Sequence, residues 1–212
     1  MYPEYARSER IADGTVHAIG VIGAIAGAVV LIVWNAGMAT PGQITAISVY
    51  GATLIATFVA SALYHFSPSE AWRPTFRRID HAAIYLKIAG TYTPLVMMIG
   101  SWFAYAILCI VWGMAVLGMA LKLFFWRTPG RRDPLLYLVM GWFSLALIWS
   151  LWPVVPGAAM VLIGLGGLLY TLGVIPYSLE RLKYAMAIWH GFVLAASACF
   201  FAAIFLGMSA IL

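Results

Sequence analysis

Charged residues are scarce in this chain of 212 residues: they make up only 9% of it, while hydrophobic residues make up 64%. Soluble globular domains carry about 25% charged residues, so this sequence has too few to cover a surface that faces water. A soluble domain is therefore excluded, and an integral membrane protein is predicted. The basic residues form no patch interleaved with polar surface, which excludes nucleic-acid binding. The only cysteines, Cys109 and Cys199, lie within apolar runs and indicate no disulfide framework.

Seven apolar runs approach or exceed the length of about 20 residues that a helix needs to cross a bilayer. A helix satisfies its own backbone hydrogen bonds, which makes it the expected spanning structure in hydrocarbon. The runs predict an all-α integral membrane bundle of seven helices, forming a single transmembrane domain over residues 1–212. The predicted spans are approximately 15–34, 44–65, 80–99, 102–125, 134–152, 158–175 and 189–212.

The connections between these runs alternate in charge. The first, third and fifth connections contain no lysine or arginine, whereas the N-terminal segment and the other connections are basic. Of the twelve lysine and arginine residues, all but Lys87 therefore fall on one side of the predicted bundle. The positive-inside rule assigns that side to the cytoplasm. The predicted topology has the N-terminus in the cytoplasm and the C-terminus outside.

Four polar side chains are expected near the cytoplasmic ends of three spans. His65 ends the second span, Asp80 opens the third, His190 opens the seventh, and Ser61 lies one helical turn before His65. Ionisable residues within a membrane usually face the bundle interior and mark function. Imidazole and carboxylate groups are standard zinc ligands, and such a zinc ion can activate a water molecule as a nucleophile. The alternative interpretation is that these helix-end residues extend into the headgroup layer.

Several stretches resemble successive signatures of the bacterial hemolysin III family, which is grouped with the PAQR (progestin and adiponectin receptor) proteins. They are "ERIADGTVHAIG", "SALYHFSP", "RRIDHAAIYLKIAGTYTP" and "AIWHGFVLAASACFF". The likeness covers nearly the whole chain, in the same order. It implies a seven-helix bundle with its N-terminus inside and a metal site near the cytoplasmic leaflet. It also implies a hydrolase of lipid amides such as ceramide.

The resemblance transfers to this sequence only in part. His65 and Ser61 match the Ser-x-x-x-His of the second span, Asp80 matches the aspartate of the third, and His190 matches the second histidine of an H-x-x-x-H motif. The first histidine of that motif is replaced here by Met186. The resemblance thus implies zinc bound by His65, His190 and Asp80, with Ser61 and Asp80 as catalytic groups and one expected imidazole absent. A thioether is a softer ligand that suits copper(I) better than zinc.

Three further residues leave alternatives open. Lys87 lies two turns after Asp80, so its ammonium either approaches that carboxylate and replaces the charge of a metal or extends along the bundle. His81 points about 100° away from Asp80 and is interpreted as a residue outside the ligand set. His17, near Glu9 and Asp13 at the start of the first span, either closes over the site or belongs to a solvated helix start.

These observations support three hypotheses about function. The first is a zinc-dependent hydrolase of a lipid amide or ester that acts in membrane-lipid homeostasis. The second is a membrane sensor or regulator with a degenerate metal site, and the third is a pore-forming cytolysin. Membrane lipids are the expected partners, in a bacterial inner membrane. Gly23 and Gly27 form a G-x-x-x-G pair that is compatible with a weak homo-oligomer.

Overall fold

The computed structural model describes residues 6–125, 133–179 and 182–212, with the side chains of residues 133–135 excepted. Within these ranges the chain is helical and contains no strand. Arg127, Arg131, Arg132 and Arg181, which contribute to the predicted charge asymmetry, lie outside the described residues. The helices are α1 (Arg7–Asn35), α2 (Pro41–Phe66), α3 (Arg73–Ile99), α4 (Trp102–Ala120), α5 (Asp133–Trp142), α6 (Ile148–Leu151), α7 (Gly157–Ser178) and α8 (Ala185–Ile211).

Six of these helical segments are long and apolar enough to cross a membrane. They are α1, α2, α3, α4 with its π-helical extension Leu121–Phe125, α7 and α8. A shorter apolar segment, Leu136–Leu151, includes a 3₁₀ turn at Phe143–Leu147 between α5 and α6. Large apolar side chains such as Ile22 and Val33 remain about two-thirds exposed on the outside of the bundle. A surface of this kind is suited to lipid, so the molecule is a multi-span helical membrane protein.

Local signals in the sequence set the ends of several helices. Thr40 caps α2, because its hydroxyl accepts a hydrogen bond from the amide of Gln43 while the Gln43 side chain accepts one from the Thr40 amide. Gly100 ends α3 with a φ of 68°, and Ser101 immediately caps α4. The α3–α4 connection is therefore a tight turn that places the two helices side by side.

Close contacts make α3 the centre of the bundle. A Cβ atom added at Gly90 would overlap the side chain of Thr53, so α2 and α3 approach closely there. The hydroxyl of Thr57 in α2 donates to the carbonyl of Ala83 in α3 at 3.0 Å. The Tyr92 hydroxyl lies 3.0 and 2.9 Å from two carbonyl oxygens of α5 and ties that helix to α3. These contacts fix the faces that α3 presents to its neighbours.

The helices near the site begin earlier than the apolar runs suggest. The third run was expected to open at Asp80, but α3 begins at Arg73, with a proline in its first turn. The seventh run was expected to open near Trp189, but α8 begins at Ala185. In α3 the added first turns are largely polar, because a helix continues through polar residues beyond the hydrocarbon if their backbone hydrogen bonds are made. In α8 the added residues, 185–188, are themselves apolar and extend the run. Asp80 and His190 consequently lie inside rigid helices rather than at frayed ends.

Candidate metal centre

Three imidazoles from three different helices converge at one end of the bundle. His17 of α1, His65 of α2 and His190 of α8 have ligand atoms that all lie within 4.8 Å of one another. The ring centroids of His17 and His190 are 4.3 Å apart, and those of His65 and His190 are 4.6 Å apart. At most about a tenth of each histidine side chain is exposed. We call these residues the histidine cluster.

Asp13 contacts every member of the histidine cluster. Its Oδ1 accepts a hydrogen bond of 2.6 Å from Nδ1 of His190, and its Oδ2 lies 3.7 Å from Nδ1 of His65. Its backbone carbonyl, one turn before His17, accepts a hydrogen bond of 2.8 Å from Nδ1 of that histidine. The Nδ1 atoms of His17 and His190 therefore carry the protons, which leaves their Nε2 lone pairs available. Metal-binding histidines commonly have their second ring nitrogen bound to a carboxylate or a backbone carbonyl in this way.

Ser61 connects the histidine cluster to Asp80. The Ser61 hydroxyl lies 3.2 Å from Nε2 of His17, and because that nitrogen holds a lone pair, the hydroxyl is the donor. The carboxylate of Asp80 is a second acceptor near Ser61, but the hydroxyl has a single proton, which it donates to His17. A metal ion and the serine hydroxyl compete for the same lone pair of His17. Metal binding at His17 therefore requires the Ser61 hydroxyl to turn, and Asp80 is the partner that remains for it.

The predicted site residues occupy different positions around this centre. His65, His190, Ser61 and Asp80 all line one cavity of about 1020 Å³, as do His81 and Met186. Asp80 is not among the three residues whose ligand atoms are mutually close, so its direct binding to a metal stays a prediction. His81 lies outside the histidine cluster, with its Nδ1 2.9 Å from the carbonyl oxygen of Arg77.

Of the two alternatives left open for Lys87, the structure does not show the approach to Asp80. The Lys87 ammonium instead donates a hydrogen bond of 2.6 Å to the hydroxyl of Ser197 in α8, and no ion pair joins it to Asp80 in the described part of the chain. The physical reason is the direction of the side chain, which follows the cavity wall across to α8 and does not run back along α3. Lys87 therefore does not replace the charge of a metal next to Asp80.

Sequence reasoning left the most informative residues of this centre undecided. Asp13 and His17 are only 8% and 4% exposed, so the interpretation of a solvated helix start is wrong. The available signal was a histidine two residues into a predicted span, where an ionisable group is costly unless it has a partner. Glu9, by contrast, lies at the edge of the bundle, where its Oε1 accepts a hydrogen bond of 2.8 Å from the amide of Tyr184. It fastens the start of α1 to the start of α8.

A buried group of three histidines and a carboxylate inside an all-helical bundle defines a class: multi-span membrane proteins with a candidate metal centre. A family model described as "Haemolysin-III related" matches residues 6–201 of this chain. A protein named "Hemolysin-3 homolog" from Bacillus subtilis (strain 168) is 35% identical over 194 residues, which cover 91% of this chain and 91% of that protein. "Hemolysin-3" from Bacillus cereus is 36% identical over 194 residues, covering 91% and 89% of the two chains. The chain belongs to the haemolysin-III-related family.

Proposed function

We propose that this protein is a zinc-dependent hydrolase that cleaves an amide or ester bond of a membrane lipid at the cytoplasmic leaflet. The observation that carries this proposal is the geometry of the histidine cluster, in which Asp13 fixes Nδ1 of two imidazoles and leaves Nε2 of both available. Three nitrogen ligands and an open position are typical of catalytic zinc sites, and this donor set fits zinc without a contribution from Met186. Cleavage of this kind would give the protein a role in membrane-lipid homeostasis.

The proposed orientation has seven spans with the N-terminus in the cytoplasm. The apolar segment Leu136–Leu151 is the candidate for the span between α4 and α7, in addition to the six long helices. Arg73, Arg77 and Arg78 lie in the first two turns of α3, at the same end as the histidine cluster. An end rich in arginine favours the cytoplasmic side. In this orientation the candidate centre lies near the inner leaflet of a bacterial plasma membrane.

The residues of the site supply the remaining chemical roles. A zinc ion held by the histidine cluster would supply a Lewis acid that polarises the scissile carbonyl and activates water. Asp13 holds His190 and His17 in the tautomer that binds metal. Ser61 donates a hydrogen bond to the oxygen that becomes negatively charged as water adds to the carbonyl. Asp80 accepts the proton of the attacking water and transfers it to the leaving nitrogen or oxygen as that bond breaks.

The cavity offers space for the acyl chain of the substrate. It continues from the histidine cluster along α3, α7 and α8 to apolar side chains such as Leu95, Met160 and Ile163. A volume of about 1020 Å³ is at the upper end of the range for small-molecule sites. Membrane lipids are therefore the proposed partners. A weak homo-oligomer through Gly23 and Gly27 is less favoured, because Gly27 already faces Phe201 of the same chain.

Two other functions give different outcomes in the same experiments. A sensor or regulator with a degenerate site is favoured by Met186, which offers the cavity a thioether in place of an imidazole. A sensor of this kind would bind lipid but would not cleave it, whether or not zinc is bound. A cytolysin is suggested only by the names of the two Bacillus relatives. It would release a fluorescent dye from liposomes, whereas a hydrolase would leave them intact.

The test measures zinc and turnover on the same preparations. Purified protein is analysed for metal by mass spectrometry, and cleavage of a fluorescent long-chain lipid amide and its ester analogue is followed by chromatography. We expect near-stoichiometric zinc and turnover in the wild type, and loss of both in His65→Ala and in His17→Ala. The matched control is His81→Ala, which removes an imidazole outside the histidine cluster and should retain zinc. Full zinc content in His17→Ala, or turnover that survives removal of zinc by a chelator, would refute the proposal.

A further inference from the structure

A second polar group lies deeper in the bundle than the histidine cluster, and two of its three residues, Lys87 and Tyr170, line the same cavity. The ammonium of Lys87 donates to the Ser197 hydroxyl oxygen at 2.6 Å, and the Tyr170 hydroxyl lies 3.1 Å from the same oxygen. Ser197 donates its own proton to the carbonyl of Val193, so it accepts from both Lys87 and Tyr170. Lys87 is 7% exposed and Ser197 is 5% exposed. We call Lys87, Ser197 and Tyr170 the lysine layer.

The depth of the lysine layer follows from helix geometry. The same spacing of seven residues occurs in three helices between a residue near the candidate metal centre and a residue at the depth of Lys87. One of these deeper residues is Phe58, whose ring lies next to the Lys87 ammonium. The pairs are Asp80 and Lys87 in α3, His190 and Ser197 in α8, and His65 and Phe58 in α2. Seven residues correspond to about 10.5 Å along a helix axis. The spacing is the same in α2, α3 and α8, so the lysine layer lies about two helical turns from the candidate metal centre.

The lysine layer carries a positive charge that the structure leaves unneutralised. An ammonium group has three N–H donors, and the described residues show one hydrogen bond from Lys87, to Ser197. The rings of Phe58 and Tyr170 lie 5.0 and 5.1 Å from the nitrogen, which stabilises a cation without neutralising it. No carboxylate in residues 6–125, 136–179 and 182–212 forms an ion pair with it. A buried cation without an anion is costly in an apolar medium.

The other cation on the cavity wall does not offer an equivalent site. Arg77 lies one turn before Asp80 in α3, and its charge interacts with the Asp80 carboxylate. It is also at the end of the cavity where the metal centre lies. Lys87 is therefore the cation that an anionic ligand would meet within the apolar part of the cavity.

Beyond Lys87 most residues that line the cavity are apolar, with Thr91, Tyr92 and Ser144 as exceptions. Leu95 is eight residues further along α3, which corresponds to about 12 Å, and Leu151, Met160 and Ile163 line the same region. We propose that the lysine layer is a binding site for a single-chain amphiphile with a carboxylate head, such as a long-chain fatty acid. The carboxylate accepts hydrogen bonds from the free N–H groups of Lys87, and the chain lies against the apolar residues. This site requires no metal and no hydrolysis, although its apolar residues are those proposed above for the acyl chain of the substrate.

The test compares two probes that differ only in the head group. Hexadecanoate and hexadecanol, each carrying a radioactive label, are titrated into purified protein in detergent, and bound ligand is measured after gel filtration. The variants are Lys87→Met, which removes the charge while keeping an unbranched side chain, and Lys87→Arg, which keeps the charge. Lys183→Met serves as the matched control, because it makes the same change at a lysine that does not line the cavity. His65→Ala reports whether the carboxylate binds at the histidine cluster instead.

We expect wild-type protein to bind hexadecanoate more tightly than hexadecanol. Lys87→Met should raise the Kd of hexadecanoate about tenfold or more, which corresponds to about 1.4 kcal/mol, and leave that of hexadecanol unchanged. Lys87→Arg, Lys183→Met and His65→Ala should retain the preference for the carboxylate. If the wild type binds hexadecanoate and hexadecanol with equal affinity, the proposal is wrong, whatever the variants show. A preference for hexadecanoate that disappears in His65→Ala but survives in Lys87→Met would also overturn it, by locating the carboxylate at the metal centre.

Discussion

Replacement of Asp13 by asparagine tests the role of the carboxylate that contacts all three imidazoles. Asparagine has the same shape and keeps an oxygen that can accept the hydrogen bond from His190, so the change removes mainly the negative charge. The contact at stake is the bond of 2.6 Å between Oδ1 of Asp13 and Nδ1 of His190. Charge-assisted hydrogen bonds are about twice as strong as neutral ones, so the change weakens the contact that orients this imidazole.

The expected size of the effect follows from comparable zinc sites. Loss of a residue that orients a metal-binding histidine typically weakens metal affinity by a factor of about 10–100. This corresponds to about 1.4–2.8 kcal/mol of binding free energy. Asp13 is only 8% exposed, so water cannot readily take its place and the larger part of that range is expected. Asp13→Asn should therefore raise the zinc Kd while leaving the purified protein folded.

The assay is a zinc titration of purified protein in competition with a chromophoric chelator. The matched control is Glu9→Gln, the same acid-to-amide change one turn earlier in α1. Glu9 binds the amide of Tyr184 and lies outside the histidine cluster, so its variant should bind zinc like the wild type. The reasoning is wrong if Asp13→Asn retains the wild-type Kd. It is equally wrong if the two variants weaken binding to the same extent, because the effect would then be a general one of charge or stability.

Two further predictions concern the packing of α3, measured as thermal unfolding in detergent. Gly90→Ala should destabilise the protein by about 1–3 kcal/mol, because the added methyl group overlaps Thr53. Gly113→Ala should not destabilise it, because no atom of the described residues outside the local helix backbone lies within 4 Å of the new methyl group. Equal melting temperatures for the two variants would contradict the close approach of α2 and α3. Tyr92→Phe should cost about 1 kcal/mol through loss of its hydrogen bonds to α5. Tyr50→Phe should be neutral or stabilising, because the buried Tyr50 hydroxyl has no hydrogen-bond partner among the described residues. A greater loss in Tyr50→Phe than in Tyr92→Phe would be evidence against these assignments.

Much of the helical architecture was predictable because the signals that define it are local. An apolar run of sufficient length specifies a membrane-spanning helix by itself, as in α1, α2, α7 and α8. Gly100 and Ser101 similarly mark the end of one helix and the cap of the next within two adjacent residues. The exact first residue of α3 was not predictable from hydrophobicity, because its first turns are polar and lie before the apolar run.

The candidate site was predictable to a smaller extent. The grouping of Ser61 with His65 follows from a spacing of four residues in one helix. The participation of His17 was not decided by any local spacing, because its partners Ser61 and His190 belong to other helices. The family resemblance placed the third histidine of the site at position 186 in α8, where this chain has Met186. In the structure the third imidazole is that of His17 in α1.

By itself, the sequence determined that this protein is a bundle of membrane helices and that polar groups gather near one end of it. The tertiary structure decided which of those groups meet. A helix that is apolar on nearly every face does not specify its own rotation in lipid, because hydrophobicity does not distinguish a neighbouring helix from an acyl chain. The rotation of α1 against α2 comes from close packing, such as that of Gly20 against Phe58 and of Ala28 against Gly51. That packing turns His17 inward, and equivalent packing brings Lys87 to Ser197, which is 110 residues away in the chain.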